Sequence, residues 1–177
     1  MNASETAATD PRHRDGAFVC DPPHACLGCL TMSGLAAELS EDEVETLFEA
    51  VKIRRLNTGE ALISEGEFDD HLFAVAKGEF GVTRGQTGDD EVELARLGPG
   101  ATTGELAFLD GLERTATVTA ADDGACVIAL RSSDLETMLG EHPQLVYKVM
   151  RAILRSAHGT VGRMDAAHLD MMRFIRG

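Results

Sequence analysis

The sequence predicts an α+β fold: a small antiparallel barrel or sandwich followed by one long helix. Three observations carry that expectation. Short apolar runs are separated by glycine turns between Val51 and Leu97, strict two-residue alternation follows Arg114, and a seven-residue apolar repeat follows Pro143. In chain order, residues 1–19 are polar, lack the apolar stretch of a secretion signal, and are expected to form a disordered tail. Residues 20–50 form a cysteine-containing segment and a helix. Over residues 51–141 the turns are Asn57-Thr58-Gly59, Glu65-Gly66-Glu67, Lys77-Gly78 and Gly98-Pro99-Gly100, with a polar hairpin at Gly85–Glu91. Between them lie Leu62-Ile63, Leu72–Ala76 and Val92–Leu97, short enough to be strands of one small sheet system.

The stretch Gly104–Ala120 concentrates the chemistry. Gly104 permits a tight bend, and Glu105-Leu106-Ala107-Phe108 reads as one helical turn whose first N–H groups lack intrahelical partners. Such a start attracts an anion, most naturally a phosphate. Nine residues after Glu105, Arg114 adds a permanently charged fork suited to two phosphate oxygens. Glu105 only accepts hydrogen bonds, which suits the hydroxyls of a ribose. After Arg114, Ala116, Val118 and Ala120 alternate with Thr115, Thr117 and Thr119, so one face enters a core and Thr115 points the other way. Together these groups describe a pocket for a ribose carrying a single phosphate charge. The plainer alternative is a surface ion pair between Glu105 and Arg114.

Residues 142–177 read as a long helix. Its apolar or small positions fall at Val146, Met150, Ile153, Ala157, Thr160, Met164, Ala167, Met171 and Phe174, alternately four and three apart. A heptad kept over that length predicts a coiled-coil seam, with a second copy of the helix as the simplest partner and a homodimer as the result. The alternative is one amphipathic helix lying on its own sheet. Gly159 and Gly162 weaken its middle, by about 1 kcal/mol each relative to Ala.

Composition bounds the function. A chain of 177 residues, 44% hydrophobic and 26% charged, suffices for one substantial core. No run of 18 apolar residues exists, so no membrane-spanning helix is expected and the chain is expected to be cytoplasmic. A net charge of −14 opposes direct binding of nucleic acid. The charge is uneven: residues 142–177 hold six basic and two acidic side chains, against ten basic and 28 acidic before them. The basic helix either docks on an acidic surface, its own or a partner's, or stays solvated. The single tyrosine and six histidines form no nucleophile–base pattern, so an enzyme is not expected.

The glycine pattern and the Gly104–Ala120 run resemble the cyclic nucleotide-binding domain and its phosphate-binding cassette. This module is shared by Crp–Fnr regulators, cyclic-nucleotide-dependent kinases and gated channels. The resemblance covers Leu35 to His168 and implies a jelly-roll-like antiparallel β-roll, a short phosphate-binding helix and a C-terminal dimer helix. It assigns the ribose 2′-hydroxyl to Glu105 and the cyclic phosphate to Arg114. It further gives Thr115 a phosphate or base contact and places backbone donors at Leu106 and Ala107, behind Gly104. Thr160 resembles the Crp-type threonine that reaches the adenine edge, whereas the neighbouring hydroxyl residue is Val161 here. Thr115 also resembles the threonine that meets guanine in cGMP-preferring relatives. cAMP is the expected ligand ahead of cGMP.

Cys20, Cys26 and Cys29, with His24 among them, precede a distant Cys126, and Cys26 and Cys29 form a C-x2-C pair. Three readings stand: free thiols, a zinc site, or an iron–sulfur cluster of all four cysteines, as the resemblance to Fnr-type oxygen sensors implies. Crp–Fnr regulators continue into a helix-turn-helix domain, and this chain ends at Gly177. The expectation is therefore a stand-alone cyclic nucleotide sensor whose C-terminal helix signals to a protein partner. The alternatives are a redox or metal sensor, and a regulator without its DNA reader that forms mixed dimers.

Overall fold

The computed structural model describes residues 23–85 and 92–176, and side chains over residues 27–85 and 92–159. Helix α1 (Pro23–Met32), a 3-10 turn (Gly34–Ala36) and α2 (Glu41–Ala50) lead into β1 (Val51–Leu56), β2 (Ala61–Ile63), β3 (His71–Lys77), β4 (Phe80–Arg84), β5 (Val92–Leu97) and β6 (Thr102–Thr103). Then come α3 (Glu105–Asp110), β7 (Thr117–Ala120), β8 (Ala125–Arg131), α4 (Ser132–Thr137) and α5 (Pro143–Arg176). The strands form two four-stranded antiparallel sheets, ordered β1-β8-β3-β6 and β2-β7-β4-β5. The fold is an α+β antiparallel β-roll, as expected. The anticipated hairpin at Gly85–Glu91 falls mostly on residues outside those described, although β4 and β5 do pair.

Two cores explain why β3 and β8 are continuous apolar runs. Successive side chains leave a strand on opposite faces. Leu72, Ala74, Ile128 and Leu130 enter a cluster beneath the helices, with Leu30, Leu47, Val149 and Ile153. Phe73, Val75, Val127 and Ala129 enter the space between the sheets, with Phe80 and Val118. In β7 the alternation holds from Thr117, with Val118 and Ala120 buried. Thr115 and Ala116 precede the strand, two residues later than the sequence pattern suggested.

Ser40 starts α2 with a reciprocal cap: its hydroxyl accepts from Glu43 N–H, and the Glu43 carboxylate accepts from Ser40 N–H. Pro143 opens α5, where its missing N–H costs nothing. The seam positions Val146, Ile153 and Ala157 are buried against the chain's own domain, and Met150 packs beside them. Over residues 143–157 the heptad therefore faces the β-roll rather than a second helix. The physical reason is that a stripe repeating every seven residues suits any apolar surface, here one to which the 3-10 turn and α3 contribute. The remaining seam side chains, Thr160, Met164, Ala167, Met171 and Phe174, lie outside the described ones. Charge follows the same docking: Lys148 pairs with Glu43 at 2.7 Å, Arg151 with Glu38 at 3.5 Å, and Arg155 also with Glu38. Over residues 148–155 the helix thus docks its basic side chains on the chain's own acidic N-terminal segment.

Ile153 is fully buried where α5 meets the roll. Ile153→Ala should destabilise the protein by about 2–5 kcal/mol in denaturant titration. An unchanged midpoint would show that α5 is not seated there.

Candidate functional site

The turn before α3 depends on a glycine. β6 pairs with β3 through Thr102 and Thr103, and the chain then bends at Gly104 with φ 87°. A side chain on Gly104 would also overlap the Arg114 guanidinium and approach the His71 carbonyl to 3.0 Å. Helix α3 follows at once. Its earliest helical bond runs from Phe108 N–H to Gly104 O at 3.1 Å, so the N–H groups of Glu105, Leu106 and Ala107 stand at an open helix start. Gly111, with φ 68°, ends the helix, and its N–H donates to Ala107 O.

Arg114 is carried to this turn by its own backbone. Its N–H donates to Glu67 O at 2.9 Å, and its carbonyl accepts from Gly66 N–H at 2.8 Å. The side chain is buried. Nη1 donates to Gly104 O at 2.9 Å, while Nη2 donates to Asp69 Oδ2 at 2.9 Å and to His71 O at 2.5 Å. The guanidinium carbon lies 5.8 Å from the Phe73 ring centre. Arg114 Nε is buried without a hydrogen-bond partner among the described residues.

Asp69 is the counter-charge. Burial opposes its ionisation. The hydrogen bond from His71 Nδ1 at 2.7 Å and the charge and hydrogen bond of Arg114 outweigh burial and hold the carboxyl at about 2, below its ordinary 3.8. His71 also stacks on Phe73, and Asp70 is paired with Arg131 at 3.0 Å. The ion pair between Arg114 and Glu105, the plainer alternative, is not formed. Arg114 pairs with Asp69 instead, below the surface.

Glu105 is buried in a different neighbourhood, built of hydroxyls. Its Oε1 accepts from Thr102 Oγ1 at 2.6 Å and from Ser156 Oγ at 2.6 Å, and the two hydroxyl oxygens are 2.5 Å apart. Ser156 belongs to α5, so the first residue of the cassette helix touches the C-terminal helix directly. Gly104, Glu105, Leu106, Ala107 and Arg114 thus converge on one turn, while Thr115 is exposed beside it. Thr160 lies one helical turn beyond Ser156, and its side chain is outside those described. Sequence reasoning missed Asp69, His71, Thr102 and Ser156.

The cysteines divide. Cys20 lies outside the described residues, and Cys26 is placed on α1 without a described side chain. Cys29 and Cys126 are free thiols; Cys29 Sγ donates to Ala76 O at 3.5 Å. Burial pushes the Cys126 thiol up, away from the thiolate a metal requires. Among the described residues, the group of three potential metal ligands is Asp69, Asp70 and His71; Asp69 is paired with Arg114, Asp70 with Arg131, and the His71 ring with Asp69. The iron–sulfur and zinc readings gain no support from this arrangement. No helix among the described residues is long and apolar enough to cross a membrane.

A β-roll whose left-handed glycine turn joins an open helix start to a buried arginine is the architecture of a ligand-binding regulatory domain. The family model described as cyclic nucleotide-binding domain matches residues 53–142, half of the chain, and the protein belongs to that family. The cyclic AMP receptor protein of Thermus thermophilus is 28% identical over 77% of this chain and 60% of its own length. A cGMP-dependent protein kinase of Caenorhabditis briggsae is 35% identical over 49% of this chain and 11% of its own. This chain therefore spans about 60% of the length of the first relative and about a tenth of the second. The crystal structure of the N-terminal domain of a transcriptional regulator from Streptomyces coelicolor A3(2) is 30% identical, with a TM-score of 0.65. That match covers 75% of this chain and 94% of the other.

The Asp69 shift makes a pH-dependent prediction. Its contribution is fully present above its ordinary value of 3.8 and is lost as pH falls through about 2. Asp69→Asn should cost about 2 kcal/mol near neutral pH, and the gap to wild type should close between about pH 4 and pH 2 in unfolding titrations. Gly104→Ala should destabilise by at least about 1 kcal/mol, from left-handed strain alone. A wild-type midpoint would mean that the turn relaxes freely.

Proposed function

We propose that the protein is a cyclic nucleotide sensor in which Arg114 takes the cyclic phosphate and Glu105 the ribose 2′-hydroxyl. The observation that carries this reading is the buried Arg114 guanidinium, held at the Gly104 turn with its Nε donor unpartnered among the described residues. A buried N–H without an acceptor is costly, and a phosphate oxygen would satisfy it. The open N–H groups of Leu106 and Ala107 add donors from the same turn, and Gly104 leaves the backbone bare for close approach. Asp69 keeps the guanidinium oriented and partly neutralised before ligand arrives. The diester's single negative charge then adds to a site that is not strongly cationic.

The proposed base is adenine ahead of guanine, with Thr160 and Thr115 as its candidate hydrogen-bonding residues. The signal leaves through α5. Its Ser156 touches Glu105, so a ligand with unequal affinity for two positions of α5 shifts their balance. The proposed output is altered contact with a protein partner by a homodimer, with the later turns of α5 as the seam. The support for this reading is the heptad beyond Ala157, whose earlier positions are already used within the chain.

Calorimetry with cAMP and cGMP tests the assignment. Arg114→Ala should weaken binding by about 2–5 kcal/mol, because a buried phosphate charge would lose its partner. Unchanged affinity in that variant removes the arginine from the site. Glu105→Gln should lose less, and mainly for ribose over deoxyribose; equal losses for both sugars would contradict its role.

A further inference from the structure

We infer that Ser156, together with Thr102, is the positioning residue that sets sugar selectivity, by holding Glu105 from the C-terminal helix. The inference rests on the nucleotide reading above and deepens it. Glu105 carries two acceptor oxygens with different fates. Oε1 is taken by both hydroxyls, at 2.6 Å each, whereas Oε2 accepts no hydrogen bond among the described residues. One oxygen therefore belongs to the protein, and the other is left for a ligand hydroxyl.

That division has a physical consequence. A glutamate free to rotate must give up rotamer freedom when it grips a sugar, and this lost entropy weakens binding. Here the freedom is already removed, since Oε1 is fixed from two directions. Thr102 supplies one anchor from β6, next to the Gly104 turn. Ser156 supplies the other from an element far away in sequence, and its hydroxyl is held in place by the seating of α5. Its neighbours Ile153 and Ala157 are buried, and Arg155 is paired with Glu38. Hydrogen bonds to an ionised carboxylate are the stronger kind, so losing one anchor loosens the carboxylate itself. Preorganisation of Glu105 benefits only a ligand with a 2′-hydroxyl. A 2′-deoxy ligand makes no use of Oε2 and is indifferent to how it is held.

The experiment is calorimetry on the full chain with whichever of cAMP and cGMP the wild type binds, alongside its 2′-deoxy analogue. Ser156→Ala should weaken the ribonucleotide roughly ten-fold and change the deoxy analogue by less than about two-fold. Ser156→Thr, which restores a hydroxyl, should recover the ribose preference. Thr102→Val should repeat the Ser156→Ala result, with unfolding midpoints recorded for all three variants. Equal losses for both sugars, or no loss for either, would overturn the positioning role and leave the nucleotide reading standing. A wild-type chain that binds neither nucleotide would overturn both.

Discussion

A guanidinium removed from water needs acceptors on several sides, and this chain assembles them from two separate segments. Asp69 comes from the segment before β3, the His71 carbonyl from the start of that strand, and the Gly104 carbonyl from the turn before α3. Arg114 itself sits before β7, pinned by two backbone bonds to Gly66 and Glu67. Because one side chain gathers all of these, the positions of α3, β3 and β7 are not independent. Gly104 must be a glycine for two reasons at once: its backbone is left-handed, and a Cβ would collide with the arginine. The features that make a phosphate site are thus also conditions for burying a cation.

The two carboxylates nearby have different environments and therefore different work. Asp69 faces a permanent charge and stays ionised far into acid. Glu105 faces two hydroxyls and, among the described residues, no ion-pair partner, and one of those hydroxyls rides on α5. The seating of α5 rests mainly on apolar contact: Leu145, Val149 and Ile153 are essentially buried, whereas its ion pairs to Glu38 and Glu43 are partly exposed and contribute little each. A shift of α5 would have to unseat that stripe and would carry Ser156 with it.

Much of the fold was legible because its signals are local. Glycine turns bounded the strands, Gly104 announced the bend, and the Ala-Thr alternation announced β7, although Thr115 and Ala116 fall outside the strand. The arginine's partner was not legible. Asp69 lies 45 residues from Arg114, in a chain with 30 acidic residues, so nothing local distinguishes it. Ser156 was hidden by the heptad around it, which directs attention to the apolar positions rather than to the hydroxyl between them. The seam was half misread for a geometric reason: periodicity reports which face of a helix is apolar, not what covers it. For Val146, Ile153 and Ala157 the cover is the chain's own roll.

The central claim is that Arg114 and Glu105 grip one ligand from either side of the Gly104 turn. A crystal structure of the protein soaked with cAMP tests it most directly. The account predicts a phosphate oxygen within hydrogen-bond distance of the Arg114 guanidinium and the ribose 2′-hydroxyl on Glu105 Oε2. A nucleotide bound elsewhere, with Arg114 Nε and Glu105 Oε2 both untouched, would contradict it.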